Sequence, residues 1–231
     1  MIAGHFATAM IAKQKFPKGS LLFFLIASQF QDLLWLVFHY LGLEPTGPSD
    51  VFDATLSNVM VEMTYSHDVV PQLFWGGMVF LIGRFLFAST TIGLVGLALY
   101  AGHFILDFFS GFPHHIFGEH THQVGLGFYE TNVYLAILIE AVFIAAALWY
   151  YFAQEAKAGI KRSHGQTLAI IGVYVYSVLY LAAIATTSIR EWFNLPEFDI
   201  GFNTSVPTLI FTYLALIWVL LRAVPVKAEA N

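Results

Sequence analysis

Cysteine is absent from this chain of 231 residues. The absence excludes disulfide bonds, thiolate nucleophiles and cysteine-ligated zinc or iron–sulfur sites. Any catalytic or metal-binding chemistry must therefore use histidine, aspartate or glutamate. The chain has nine histidines and 15 acidic residues from which to build such a site.

Charge is also scarce, because only 11% of the residues are charged whereas 58% are hydrophobic. Soluble domains carry roughly a quarter charged residues, so this composition does not supply enough charge for a soluble surface. Only ten residues are basic and the formal net charge is −5, which leaves no basic stripe for binding nucleic acid. The composition predicts an all-α, polytopic membrane protein that forms a single domain over residues 1–231.

Long apolar runs predict six membrane-spanning helices, since a span needs about 20 mostly apolar residues. A shorter apolar run, Met1–Ala12, precedes the first lysines and predicts a half-length helix that starts within the membrane and packs on other helices. The six predicted spans are Ser20–Leu43, Val70–Ala88, Thr91–Phe112, Thr131–Ala153, Gly165–Ser188 and Ser205–Ala223.

The distribution of basic residues predicts the orientation of the chain. With six spans, nine of the ten basic residues fall on one side and only Arg190 falls on the other. The positive-inside rule makes the basic side cytoplasmic. We therefore expect a cytoplasmic C-terminus, with the loops at 44–69, 113–130 and 189–204 facing outward.

Several ionisable residues lie inside the predicted helices, where they are costly and mark functional sites by default. His103 and Asp107 are four residues apart, so they lie side by side on one helix face. Counted at about 1.5 Å per residue, Asp32, Glu140 and His5 reach a similar depth. Histidine and carboxylate groups at one depth predict a shared metal site, and a structural His–Asp hydrogen bond is the alternative.

Two polar segments lie outside the predicted spans. Glu62, His67 and Asp68 precede the second span, where they either form a solvated loop or fold over the site and supply a ligand or a general base. Four histidines lie within residues 114–122. We expect these four to be solvated, with a surface metal site or a pH-sensitive lid as the alternative.

The order of the motifs resembles that of small multi-pass bacterial membrane proteins described as membrane-bound metal-dependent hydrolases. The resemblance covers residues 1 to about 150, and the last two spans, in residues 151–231, match no motif. The matching stretches are Gly4-His5, Gln29-Phe30-Gln31-Asp32-Leu33-Leu34-Trp35, Tyr65-Ser66-His67, His103 with Asp107, and Gly125-Leu126-Gly127-Phe128-Tyr129.

The resemblance implies a metal-dependent hydrolase in the inner membrane of a bacterium. Because the candidate residues lie in the outer half of the bilayer, we expect a lipid-linked ester or phosphoester as the substrate. The cofactor of the hydrolase would be a divalent metal, with zinc favoured. The general base would be Asp68, Glu62 or Glu140. The metal ligands would be drawn from His5, Asp32, His67, His103 and Asp107.

Two other functions stay open on the sequence. The chain is alternatively a non-catalytic subunit of a larger membrane complex, in which the buried histidines and aspartates are structural or bind a cofactor such as haem. Its partners would then be other membrane subunits. A further alternative is an ion or proton pathway through Asp32, His103, Asp107 and Glu140.

Overall fold

The computed structural model describes residues 3–197 and 201–225, and most of these residues are α-helical. The predicted all-α membrane architecture is confirmed, because five helices are long and apolar enough to cross a membrane and a bent pair supplies a sixth if it crosses as one span. The helices of the described residues are α1 Gly4–Lys15, α2 Leu21–Ser28, α3 Phe30–Tyr40, α4 Val69–Leu86, α5 Thr90–Ser110, α6 Phe128–Thr131, α7 Val133–Lys157, α8 His164–Ala183, α9 Ile189–Phe193 and α10 Ser205–Ala223.

The prediction of one continuous helix over Ser20–Leu43 is wrong. The chain bends by 65° between α2 and α3, and Gln29 has the non-helical dihedrals φ −115° and ψ 12°. The neighbouring Gln31 is held from two sides, since its side-chain amide donates to the Tyr100 carbonyl oxygen and its carbonyl accepts from the Gln72 amide, both at 2.9 Å. Because α3 begins at Phe30, directly after the bend, Asp32 lies in the first turn of this helix. The helix dipole favours a carboxylate at that position.

The predicted half-length helix corresponds to α1, which packs inside the bundle against α2, α5 and α7. Its first N–H groups need acceptors because they have no partner within the helix. The buried carboxylate of Glu140 on α7 supplies one, accepting from the backbone N–H groups of Ala3 at 3.2 Å and Gly4 at 3.3 Å. This contact fixes the position of α1 relative to α7, and therefore the position of His5 in the bundle.

Helices α4 and α5 approach each other closely through glycine. A methyl group added at Gly93 would lie 2.7 Å from the Phe80 carbonyl oxygen, and one added at Gly83 would lie 2.9 Å from the Gly93 Cα. Small residues allow such close packing between membrane helices. The contact sets the position of α5, which carries His103 and Asp107.

The connecting loops hold one another at one end of the bundle. The Asp68 carboxylate accepts the backbone N–H groups of His115 at 2.8 Å and Gly118 at 2.6 Å, and Arg190 forms ion pairs with Asp50 and Asp53. Two short antiparallel hairpins lie within these loops. They pair β1 Thr46–Gly47 with β2 Met60–Val61, and β3 His114–His115 with β4 Gln123–Val124.

We predict that Glu140 is required for stability through its acceptor oxygens. Glu140→Leu should lower the free energy of unfolding by on the order of 2 kcal/mol, because it leaves the two N–H groups of α1 without an acceptor in the interior. Glu140→Gln keeps an acceptor oxygen and should cost much less. Unfolding of both variants in mixed detergent–denaturant micelles measures the difference, and equal stability of the two would contradict this role.

Candidate metal centre

The five predicted metal ligands lie together in the interior of the bundle. They come from four parts of the chain: the first turn of α1, the first turn of α3, the segment before α4, and α5. Each is at most 9% exposed. The five residues are His5, Asp32, His67, His103 and Asp107.

One half of the cluster consists of His5, His103 and Asp107. The two imidazole rings stack with their centroids 3.6 Å apart. The Asp107 carboxylate reaches both rings, since Oδ1 lies 3.3 Å from His5 Nε2 and Oδ2 lies 3.1 Å from His103 Nε2. The i, i+4 spacing on α5 therefore brings His103 and Asp107 side by side, as the sequence predicts.

The other half consists of Asp32, His67 and, again, His103. Asp32 Oδ1 lies 3.3 Å from His67 Nε2 and 3.6 Å from His103 Nε2. In each half, the potential ligand atoms all lie within 4.8 Å of one another. Because His103 belongs to both halves and offers one free ring nitrogen, the arrangement suits one ion better than two.

Hydrogen bonds orient the candidate ligands from outside the cluster. His103 Nδ1 lies 2.8 Å from the Ser28 carbonyl oxygen. A carbonyl oxygen only accepts, so Nδ1 carries a proton, and in the neutral ring the lone pair is then on Nε2. The Tyr213 hydroxyl donates to Asp32 Oδ2 at 2.9 Å, and the Ser66 hydroxyl bonds His67 Nδ1 at 2.7 Å. Metal-binding histidines and carboxylates typically have such supporting partners.

Several buried ring nitrogens at the site have no hydrogen-bond partner among the described residues. They are both nitrogens of His5, Nε2 of His103 and Nε2 of His114. Of these atoms, His5 Nε2 and His103 Nε2 lie 3.3 Å and 3.1 Å from Asp107 carboxylate oxygens. Buried polar atoms are nearly always satisfied, and the chemistry of this donor set fits a cation held between the nitrogens and carboxylates.

The expectation that all four histidines of residues 114–122 are solvated is wrong for His114. This side chain is 3% exposed, and its ring stacks on His67 with the centroids 5.1 Å apart. Burial, together with the neighbouring His67, lowers the pKa of His114 to about 3, so the ring is neutral at pH 7. His120 and His122 are exposed and His115 is half-buried.

The loop that carries His67 is held by a buried glutamate that the sequence did not single out. The Glu44 carboxylate accepts the backbone N–H groups of Tyr65 at 2.7 Å and Ser66 at 2.8 Å. Burial raises the pKa of Glu44 above its ordinary value, and the bonds from Ser66 oppose that shift. Glu44 thereby fixes the Tyr-Ser-His stretch over the cluster.

The three candidate general bases lie in different settings. The two oxygens of Asp68 accept backbone N–H groups of the β3–β4 hairpin, and Glu140 accepts those at the start of α1. Glu62 is exposed and lines a polar cavity beside the cluster. Asp68 and Glu140 thus stabilise the fold through hydrogen bonds to backbone N–H groups. The assignment of any of the three residues as a general base stays a prediction.

Sequence reasoning missed Tyr213, which is buried on α10 and bonds Asp32. It lies in the part of the chain where no motif was found, and one tyrosine among 11 carries no signal of its own. Helix α10 therefore contributes directly to the site.

Two cavities adjoin the cluster. The first, here called the apolar cavity, has a volume of about 130 Å³ and is bordered by Asp32, His67 and Asp107. The second, the polar cavity, has a volume of about 650 Å³ and lies among the loops before α4 and after α5. His114 borders both.

Comparison of the chain with protein-family models, curated proteins and solved structures gave no match. The function of the site must therefore be inferred from its own geometry and chemistry.

We predict that Tyr213 strengthens metal binding at the cluster through its hydrogen bond to Asp32, without being a ligand itself. Tyr213→Phe should leave the fold intact but weaken divalent-metal binding by about 10-fold or more, because outer partners of metal ligands typically contribute that much. Titration of the metal-depleted protein with zinc measures the change. Tyr176→Phe, at an exposed position on α8, is the matched control, and equal affinities of the two variants would contradict the prediction.

Proposed function

We propose that the chain is a metal-dependent hydrolase of the membrane, acting on a lipid-linked ester or phosphoester. The observation that carries the proposal is the convergence of three imidazoles and two carboxylates in the membrane-spanning bundle, where both ring nitrogens of His5 and Nε2 of His103 are buried and have no hydrogen-bond partner among the described residues. Buried polar side chains with a purely structural role usually have a hydrogen-bond partner each. They have no need to gather into one cluster in this way.

One divalent ion, with zinc favoured, would be held by a subset of the five residues. Catalytic zinc sites use three nitrogen or oxygen ligands from the protein and keep a further position open. Such an ion would supply electrophilic polarisation of the ester or phosphoryl oxygen and would acidify water. The candidate ligand atoms are Nε2 of His5, His67 and His103, with carboxylate oxygens of Asp32 and Asp107.

The remaining polar residues supply positioning and proton transfer. Ser28 and Tyr213 orient His103 and Asp32 through hydrogen bonds. These bonds leave His103 Nε2 and Asp32 Oδ1 facing the other candidate ligands. Of the three candidate bases, Glu62 has the most direct access to water, because its exposed side chain lines the polar cavity. We therefore favour Glu62 for taking the proton, with Asp68 and Glu140 kept as the other candidates.

We propose the inner membrane of a bacterium as the location, with the C-terminus in the cytoplasm. This placement is supported by the positive-inside rule, since the six-span topology predicted from the sequence assigns nine of the ten basic residues to the side opposite the loops at 44–69, 113–130 and 189–204. The cluster would then face the outer half of the bilayer, and membrane lipid would be its source of substrate.

We expect the protein purified in mild detergent to contain about one equivalent of divalent metal per chain, because the two ligand groups found among the described residues share His103. Asp107→Asn and His103→Ala should lose the metal. Asp107→Asn is nearly isosteric, so it separates loss of a ligand from loss of folding. Elemental mass spectrometry measures the content, and His164→Ala, at an exposed histidine on α8, should keep the metal.

Absence of metal from the folded wild-type protein, even after supplementation with zinc, manganese or iron, would refute the proposal. Stable co-purification with other membrane subunits would then favour a non-catalytic subunit. Metal-independent proton flux in proteoliposomes that is lost in Asp107→Asn would instead favour an ion pathway.

We further expect turnover of lipid esters or phosphoesters that depends on the metal. Chelation or Asp107→Asn should lower the rate by at least about 100-fold, because the metal is the main source of electrophilic stabilisation. A panel of lipid esters and phosphoesters in mixed micelles, followed by mass spectrometry of the products, measures this. Equal rates for Asp107→Asn and His164→Ala would show that the activity does not come from this site.

A further inference from the structure

The two cavities beside the cluster have opposite chemical character. The wall of the apolar cavity, between α3, α8, α10 and the loop after α3, is formed mainly by hydrophobic side chains. Apart from four residues at or beside the cluster, none of its lining residues is acidic, basic or a histidine. The hydrophobic wall includes Trp35, Val61, Met63, Leu181, Ile184 and Leu209.

The polar cavity is about five times larger and carries charge of one sign. Four carboxylates line it, whereas no lysine or arginine is present among its lining residues in the described part of the chain. Glu119 and Glu130 are exposed, so their carboxylates are available to a ligand. The four are Glu62, Asp68, Glu119 and Glu130.

The cavities meet beside the metal centre. Six residues border both of them, namely Thr46, Val59, Val61, Met63, Phe112 and His114. His114 is buried against His67, and its Nε2 has no hydrogen-bond partner among the described residues. A ligand that filled both cavities would therefore pass the cluster at the point where its polar and apolar parts join.

Resting on the proposed function, we infer that the substrate is an amphiphile with one apolar chain in the apolar cavity, a head group that ends in a cationic ammonium in the polar cavity and its scissile bond at the junction. A polar head in the apolar cavity would lose its hydration without compensation. An anionic head in the polar cavity would meet four carboxylates and no cation, whereas a choline- or ethanolamine-type head would be attracted.

The size of the apolar cavity restricts the chain that it admits. A cavity of roughly 150 Å³ holds a molecule about the size of benzene. The apolar cavity, at about 130 Å³, is therefore filled by a short segment of one hydrocarbon chain, and two chains do not fit side by side.

Binding of matched single-chain lipids tests the inference without relying on turnover. The wild-type protein, as purified in maltoside micelles, is mixed with an ether-linked lysophosphocholine and with the lysophosphoglycerol of the same chain length. Native mass spectrometry should show preferential retention of the phosphocholine. Glu119→Gln/Glu130→Gln should reduce that preference by about twofold to fivefold, as expected for exposed charge pairs.

Occupation of the apolar cavity is tested by filling it. Leu209→Trp should reduce retention of both lipids, whereas Leu214→Trp, at an exposed position on the same helix, should not. Equal retention of the two lipids by the wild type, or equal behaviour of the two tryptophan variants, would overturn the inference. The proposed function fails separately, through absence of metal or of metal-dependent hydrolysis.

Discussion

The hydrogen bond between His103 Nδ1 and the Ser28 carbonyl oxygen is the contact on which the arrangement of the site depends. Ser28 ends α2, so its carbonyl has no partner within that helix, and the break after it lets α3 start at a new angle with Asp32 in its first turn. The same bond fixes the proton on Nδ1 and leaves Nε2 for the cluster. This one buried hydrogen bond thus depends on the bend after Ser28 and also orients the imidazole of His103, which lies at the centre of the cluster.

The rest of the bundle places the other candidate ligands around this imidazole. Glu140 seats α1 and brings the His5 ring onto the His103 ring. Glu44 holds the backbone before His67, and Tyr213 reaches Asp32 from α10. Each is a buried polar contact between distant parts of the chain. Buried polar networks destabilise the fold when a member lacks a partner and make it rigid when every member is satisfied. A preorganised metal site requires such rigidity.

The cavities connect this chemistry to the membrane. An apolar cavity within the helices and a carboxylate-lined cavity among the loops meet where His114 packs on His67. A lipid presents the same two parts in the same order, a hydrocarbon chain in the bilayer and a polar head at its surface. This correspondence is the basis for proposing an amphiphilic substrate for the proposed hydrolase.

The sequence by itself determined the all-α membrane architecture and the pairing of His103 with Asp107, because span length and i, i+4 spacing are local properties of a helix. It also singled out His5, Asp32 and His67 through intramembrane placement and motif order. Only the tertiary structure decided the bend at Gln29, the burial of His114 and the contribution of Tyr213. These features depend on contacts between residues far apart in the chain, for which no periodicity or spacing exists.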